Sequence, residues 1–208
     1  DLQLYSSADG LPSTSIFDLL LTSAGALWIG TDAGAVRYDG QTWQVYDTST
    51  GLVHNQVFDI AIAPDGRLWF ATPGGVTVYD GQDWESYATG EFPEENIVFA
   101  LAFAEDGSLY AGTEPGVMRM DEVNRQNLRT DDPPVSDALS VAAAPDGTLW
   151  VGTDNHGILR FDGKTWQRYT TLDGLADDSI HALAFAPDGT PWAASWRGVS
   201  HFDGQSWR

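Results

Sequence analysis

The chain has no cysteine and a single lysine, Lys164. The first absence excludes a disulfide framework and any Cys-based zinc or redox site. The second belongs to a wider shortage of positive charge: 10 Lys and Arg face 30 Asp and Glu, a formal net charge of -20 over 208 residues. Nucleic acid is a poor partner on these grounds, because phosphate binding needs a basic surface. Anionic membrane fails for the same reason. No apolar run approaches the roughly 18 residues of a membrane span, so no membrane insertion is expected. The first residues also lack the charged and apolar regions of a signal peptide. Helical hydrophobic periodicity is missing as well. What is present is a hydrophobic fraction of 42%, ordinary for a folded globular chain and too high for a disordered tail.

The apolar residues are organised by repetition. Gly34, Gly75, Gly116, Gly157 and Gly198 stand 41 residues apart. An Asp-Gly turn keeps the same spacing at Asp39, Asp80, Asp162 and Asp203, with Asp121-Glu122 in the third unit. An aromatic column runs Trp28, Trp69, Tyr110, Trp150, Trp192, and a second column Trp43, Trp84, Trp166, Trp207. Each unit holds four short β-like runs. In unit two these are VFDIAIA, RLWFAT, VTVYD and WESYA, separated by Pro-Asp-Gly, Pro-Gly-Gly and Asp-Gly-Gln. Such separators supply turn geometry and hairpin closure. Four-stranded units of roughly 40–45 residues are the signature of propeller blades.

The expected fold is therefore all-β, a single five-bladed β-propeller over 1–208 with four antiparallel strands per blade. The blades fall at approximately 10–50, 51–89, 90–131, 132–172 and 173–208 plus 1–6. Leu2-Gln3-Leu4-Tyr5 matches Trp43-Gln44-Val45-Tyr46, so an N-terminal strand is expected to complete the last blade and close the ring. Leu2 and Trp207 compete for one position in that strand. An open array cut from a longer propeller is the alternative.

GLPSTSI, GALWIGTDAG and VRYDG, repeated as PDGRLWFAT, PDGTLWVGTDNHG and PDGTPWAAS, resemble the two-component regulator propeller repeat. The resemblance runs through essentially the whole chain. It implies an extracytoplasmic bacterial sensor module, periplasmic or extracellular, and it implies a glycan as one class of ligand. The family's full architecture includes a membrane helix, kinase and receiver segments. None is in this sequence, so an excised domain with parent-chain partners, or a stand-alone binding protein, is expected.

Residues that repeat are explained by the blade, so function is sought where the repeat breaks. Trp196 lies outside both Trp columns, in Ser195-Trp196-Arg197-Gly198, where other units have TDAG, TPGG, TEPG and TDNHG. An exposed aromatic face beside a guanidinium suits sugar stacking, peptide docking or a stacked cation. Covering a gap near the fifth blade is the structural reading of the same residue. His54, His156 with Asn155, and His181 map to the same face, while His201 takes a strand position held by Arg37, Arg119 and Arg160. The three face histidines come from three different blades, and nothing in their spacing requires a metal site. Asp18 and Asp59 share one column of the innermost strands. As neighbours they could act as general acid and base, as in glycosidases with carboxylates roughly 5–10 Å apart. Their common repeat position points instead to inherited hydrogen bonding.

Nine acids, Asp39, Asp80, Asp121, Asp162, Asp203, Asp65, Asp106, Asp146 and Asp188, are read as turn formers on one face. Asp32, Glu114, Asp154, Glu94, Glu95, Asp131, Asp132, Asp177 and Asp178 fall on the other. That face favours cationic partners or calcium by field strength, although no calcium-loop motif is present and no cofactor is expected. The third unit is irregular, with TGEFPEENI and DEVNRQNLRTDDPPV replacing the regular loops.

The leading expectation is a non-enzymatic ligand-binding or sensor propeller, its ligand over the axial channel on the face of Trp196, Arg197, His156, Asn155, His181 and His54. A glycan or other small molecule is the expected ligand. A carbohydrate-active hydrolase or lyase using Asp18 and Asp59, and a protein-interaction scaffold using the third unit, are the alternatives.

Overall fold

The computed structural model describes residues 3–87, 96–120, 125–128 and 137–208. Leu2, Asp121, Glu94, Glu95, Asp131 and Asp132 lie outside them, as does most of the irregular sequence of unit three. The chain is a five-bladed β-propeller. It divides into two compact units, Asp1–Val98 and Phe99–Arg208.

In the first unit, β1 (Ile16–Leu21), β2 (Leu27–Thr31), β3 (Gly34–Tyr38) and β4 (Trp43–Tyr46) pair in sequence order as blade one. Blade two repeats this with β5 (Asp59–Ile62), β6 (Leu68–Thr72), β7 (Gly75–Tyr79) and β8 (Trp84–Tyr87). The second unit holds three blades. Blade three is β9 (Val98–Phe103), β10 (Leu109–Thr113), β11 (Gly116–Met120) and β12 (Arg125–Leu128). Blade four is β13 (Ala138–Ala143), β14 (Leu149–Thr153), β15 (Ile158–Phe161) and β16 (Trp166–Tyr169). Blade five has three strands, β17 (Ile180–Phe185), β18 (Pro191–Ser195) and β19 (Gly198–His201).

Every pairing is an antiparallel hairpin, so two sets of turns collect at opposite ends of the strands. At one end, Asp39 Oδ1 accepts the N–H groups of Gln41 and Thr42 at 2.9 and 2.8 Å. Asp80, Asp162 and Asp203 repeat that pattern. Asp65, Asp106, Asp146 and Asp188 each accept the N–H two residues on. Eight of the nine acids assigned to turns thus do that work, and Asp121 lies outside the described residues. At the other end, the buried hydroxyls of Thr31, Thr72, Thr113 and Thr153 donate to the carbonyls of Gly34, Gly75, Gly116 and Gly157 at 2.7–2.8 Å. Gly34 needs its φ of 135°, and a Cβ there would strike the Tyr46 carbonyl oxygen.

The tryptophan columns pack between and across blades. Trp28 stacks on Tyr46 of its own blade at 5.3 Å and meets Phe70 of blade two edge-on at 5.5 Å. In the second unit Trp150 stacks on Tyr169 at 5.8 Å and meets Phe202 and Trp207 of blade five at 5.8 and 5.9 Å. The second column stacks within its blade, Trp43 on Tyr38 at 4.2 Å and Trp84 on Tyr79 at 4.4 Å.

The competition for the closing position has a definite occupant. Trp207 is buried, bridges Phe202, and is followed by Arg208, whose N–H donates to the His201 carbonyl at 2.9 Å. Blade five therefore begins its own fourth strand. Residues 3–6 are in no strand, and Leu2 lies outside the described residues. Tyr5 instead packs on Tyr38 and Trp43 of blade one at 5.7 and 5.2 Å. Those values repeat Tyr46 on Tyr79 and Trp84, 5.8 and 5.2 Å.

Candidate functional site

In the second unit, the loops leading into the innermost strands and the loops between second and third strands share one end of the blades. Hydrogen bonds between blades four and five fix them together. Ser179 Oγ donates to Asp154 Oδ1 at 2.8 Å, and the Gly157 N–H donates to the Asp178 carbonyl at 2.7 Å. Asp178 is held in turn, accepting the Thr171 N–H at 2.7 Å. Asn155 takes a left-handed φ of 66°, which its short polar side chain tolerates and which accommodates the extra residue of this loop. His156 is drawn against its own loop, with Nδ1 3.0 Å from the Asp154 carbonyl. Arg168 Nε donates to the His156 carbonyl at 2.9 Å.

His181 owes its direction to a β-bulge. The register of β17 against β18 jumps from Ile180 to Ala182, leaving His181 unopposed, and the same jump skips Phe17 in β1 and Leu139 in β13. Bulges re-aim the extra side chain. In blades one and two the corresponding rings, Phe17 and Phe58, meet edge-on at 5.5 Å. In blade five the ring is an imidazole, packed edge-on against Trp196 at 4.3 Å. Its Nε2 is buried without a hydrogen-bond partner among the described residues. Trp196 itself is 79% exposed. Beside it, Arg197 Nε lies 3.2 Å from Asp177 Oδ2, and Asp177 Oδ1 accepts the Ser179 N–H at 3.0 Å.

Five of the six residues expected at the site thus lie on two hydrogen-bonded blades, Trp196, Arg197, Asn155 and His156 on loops and His181 at the bulge of β17. His54 is in blade two of the first unit, where Nδ1 accepts the Gln56 N–H at 3.0 Å. Asp177 and Ser179 join the cluster as positioning groups. The sequence had placed Asp177 among the acids of this face, and Ser179 was signalled only by its position after the Asp-Asp pair. His201 stacks on Trp192 at 5.0 Å, as the Arg160 guanidinium lies 5.5 Å from the Trp150 ring, which fits its structural reading.

Asp18 and Asp59 do come together. The Ile60 N–H is 3.0 Å from Asp18 Oδ2 and 2.9 Å from Asp59 Oδ1. A carboxylate reaching across from blade one to a backbone donor of blade two ties the blades. Among the described residues, no group of three or more His, Cys, Asp or Glu is placed to hold a metal ion.

A feature the sequence did not reveal lies at the opposite end of the strands. A cavity of about 740 Å³ opens between blades four and five, lined by Trp150, Arg160, Phe185, Asp188, His201 and Phe202 among others. Its polar rim consists largely of turn aspartates already engaged with backbone N–H groups.

Residues 10–33 and 51–74 match the model of the two component regulator propeller. Within those two segments the sequence is a repeat of that type. No curated protein matches it. Among solved structures, it is similar to the extracellular domain assigned to a hybrid two component system of B. thetaiotaomicron, with TM-score 0.79 and 22% identity. That match covers 99% of this chain and 29% of the other. Virginiamycin B lyase from Staphylococcus aureus gives TM-score 0.77 at 12% identity, covering 96% of this chain and 70% of the lyase. The extracellular domain assigned to a one component system of B. thetaiotaomicron gives 0.62 at 15% identity, covering 93% and 37%. This chain thus shares a fold with these extracellular domains and with a lyase, and fold alone does not choose between them.

Proposed function

We propose that this propeller is a non-enzymatic recognition module of the sensor type. Its ligand binds at the loop end of blades four and five, over Trp196. One observation carries the reading: a tryptophan largely open to solvent is held edge-on by a histidine whose Nε2 has no hydrogen-bond partner among the described residues, next to an Arg197–Asp177 pair. Exposed aromatic rings are costly to leave in water and recur at binding sites. An aromatic face ringed by donors and acceptors fits a polyhydroxylated ligand, whose C–H face stacks while its hydroxyls pair. A glycan is therefore the ligand class, with Trp196 stacking, Arg197 forking onto a polar or anionic group, and His181, His156 and Asn155 hydrogen-bonding. The engagement of Asp18 in backbone pairing favours binding over hydrolysis. An extracytoplasmic setting goes with this reading, as for the extracellular domains of similar fold.

Calorimetric titration with a panel of soluble oligosaccharides tests it. A saccharide that binds should lose at least about tenfold in affinity in Trp196→Ala, the scale of a truncated hot-spot aromatic. Unchanged binding in Trp196→Ala and Arg197→Ala would remove this site, and a panel without any binder would remove the glycan assignment.

A further inference from the structure

Where blade five begins its second strand, the repeat breaks at one apolar residue. β2, β6, β10 and β14 open on Leu27, Leu68, Leu109 and Leu149, whereas β18 opens on Pro191. Leu68 packs into the core between blades one and two, and Leu149 into that between blades three and four. Proline lacks the branched side chain that would fill the same space between blades four and five. The cavity of about 740 Å³ opens there, and every residue that lines it belongs to those two blades. Small-molecule sites occupy roughly 300–1,000 Å³.

Three rings form the apolar wall of this cavity: Trp150 meets Phe185 at 6.3 Å and Phe202 at 5.8 Å, both edge-on. The charges of the lining do not balance. Asp146, Asp188 and Asp203 are set against the Arg160 guanidinium, with His201 the remaining titratable group. Arg160 Nη2 lies 3.4 Å from Asp146 Oδ2, and Arg208 Nη2 lies 2.7 Å from Asp203 Oδ2. Asp188 has no ion pair among the described residues. The Thr190 N–H and hydroxyl hold its pKa below the ordinary carboxylate value, so it stays ionised at neutral pH.

We propose that this cavity is a second ligand site, distinct from the loop end, and that it takes a small organic cation with an aromatic body. The ring of the ligand packs on the wall of Trp150, Phe185 and Phe202, and its ammonium lies at Asp188, the lining carboxylate without a counter-charge. A bare cation leaves the rings in water, and an anion of the same shape meets the acidic rim and is repelled.

Calorimetric titration of the full chain with three probes tests this. Phenylethylamine should bind. Phenylpropionate, which exchanges the ammonium for a carboxylate, and ethylamine, which lacks the ring, should each bind at least about tenfold more weakly. Asp188→Asn keeps an acceptor for the Thr190 N–H and removes the charge. Pro191→Leu restores the residue of the other four blades and narrows the cavity. Each should weaken phenylethylamine at least about fivefold, the scale of a lost charge-assisted contact or a new clash. Circular dichroism should show both variants folded; if Asp188→Asn is not, Asp188→Ser takes its place. Absence of phenylethylamine binding at up to about 20 mM overturns the proposal, as does equal binding of either other probe. Binding that persists unchanged in either folded variant overturns it too.

Discussion

Aspartate does two kinds of work in this protein, and the difference lies in what each carboxylate accepts. Asp39 takes two backbone N–H groups and the Thr42 hydroxyl, and these bonds hold its pKa at about 2, below the ordinary 3.8. Asp80 and Asp162 are lowered by the same backbone donors. The unfolded chain binds protons on such groups before the folded one does. Their stabilisation is therefore complete above the ordinary carboxylate value and is lost as pH falls through the depressed folded value. Asp39→Asn keeps an acceptor oxygen but removes the charge. It should be less stable than wild type at neutral pH, with the gap shrinking from about pH 4 and gone near pH 2; urea denaturation at stepped pH measures it. The carboxylates at the loop end have a different role. Asp154 and Asp177 hold a serine and an arginine in place, so they shape a surface.

At the scale of the element, a blade is four short strands that cannot bury their faces alone. Burial comes from the neighbour, through residues such as Trp28, which touches rings of two blades. Trp28→Ala should cost about 3–5 kcal/mol, the usual range for a buried aromatic removed from a packed core. Thermal or urea unfolding would register it as loss of much of the stability of the first unit. A cost below about 1 kcal/mol would mean that the interblade contact is not the main source of stability. The same logic explains why blade three holds its four-stranded sheet although its third hairpin lacks the usual Asp-Gly and Trp. Val117 and Leu128 still pair across β11 and β12, and the blade packs through Ala100 and Val117 against Val141 and Val151 of blade four.

For the whole molecule, the formal charge of -20 sets the background. Like charges repel more in the compact state than in the extended chain, and salt screens them over about 10 Å at 0.1 M. Raising sodium chloride from roughly 10 mM to 150 mM should therefore raise the melting temperature. A fall would mean that the Arg–Asp pairs at the turns, such as Arg67–Asp65 at 2.8 Å, outweigh the general repulsion.

The blade count, the strand order, the turn aspartates and the interblade tryptophans were all legible in the sequence. Each is set by local chemistry repeated five times, and repetition separates signal from chance. Trp196 was legible for the converse reason, as a tryptophan outside the register. What the sequence could not decide was how unrepeated residues meet. The bulge that frees His181 to pack on Trp196, the bonds from Ser179 and Asp177 that join two loops, and the seating of Trp207 against Phe202 each depend on backbone paths set by neighbouring blades.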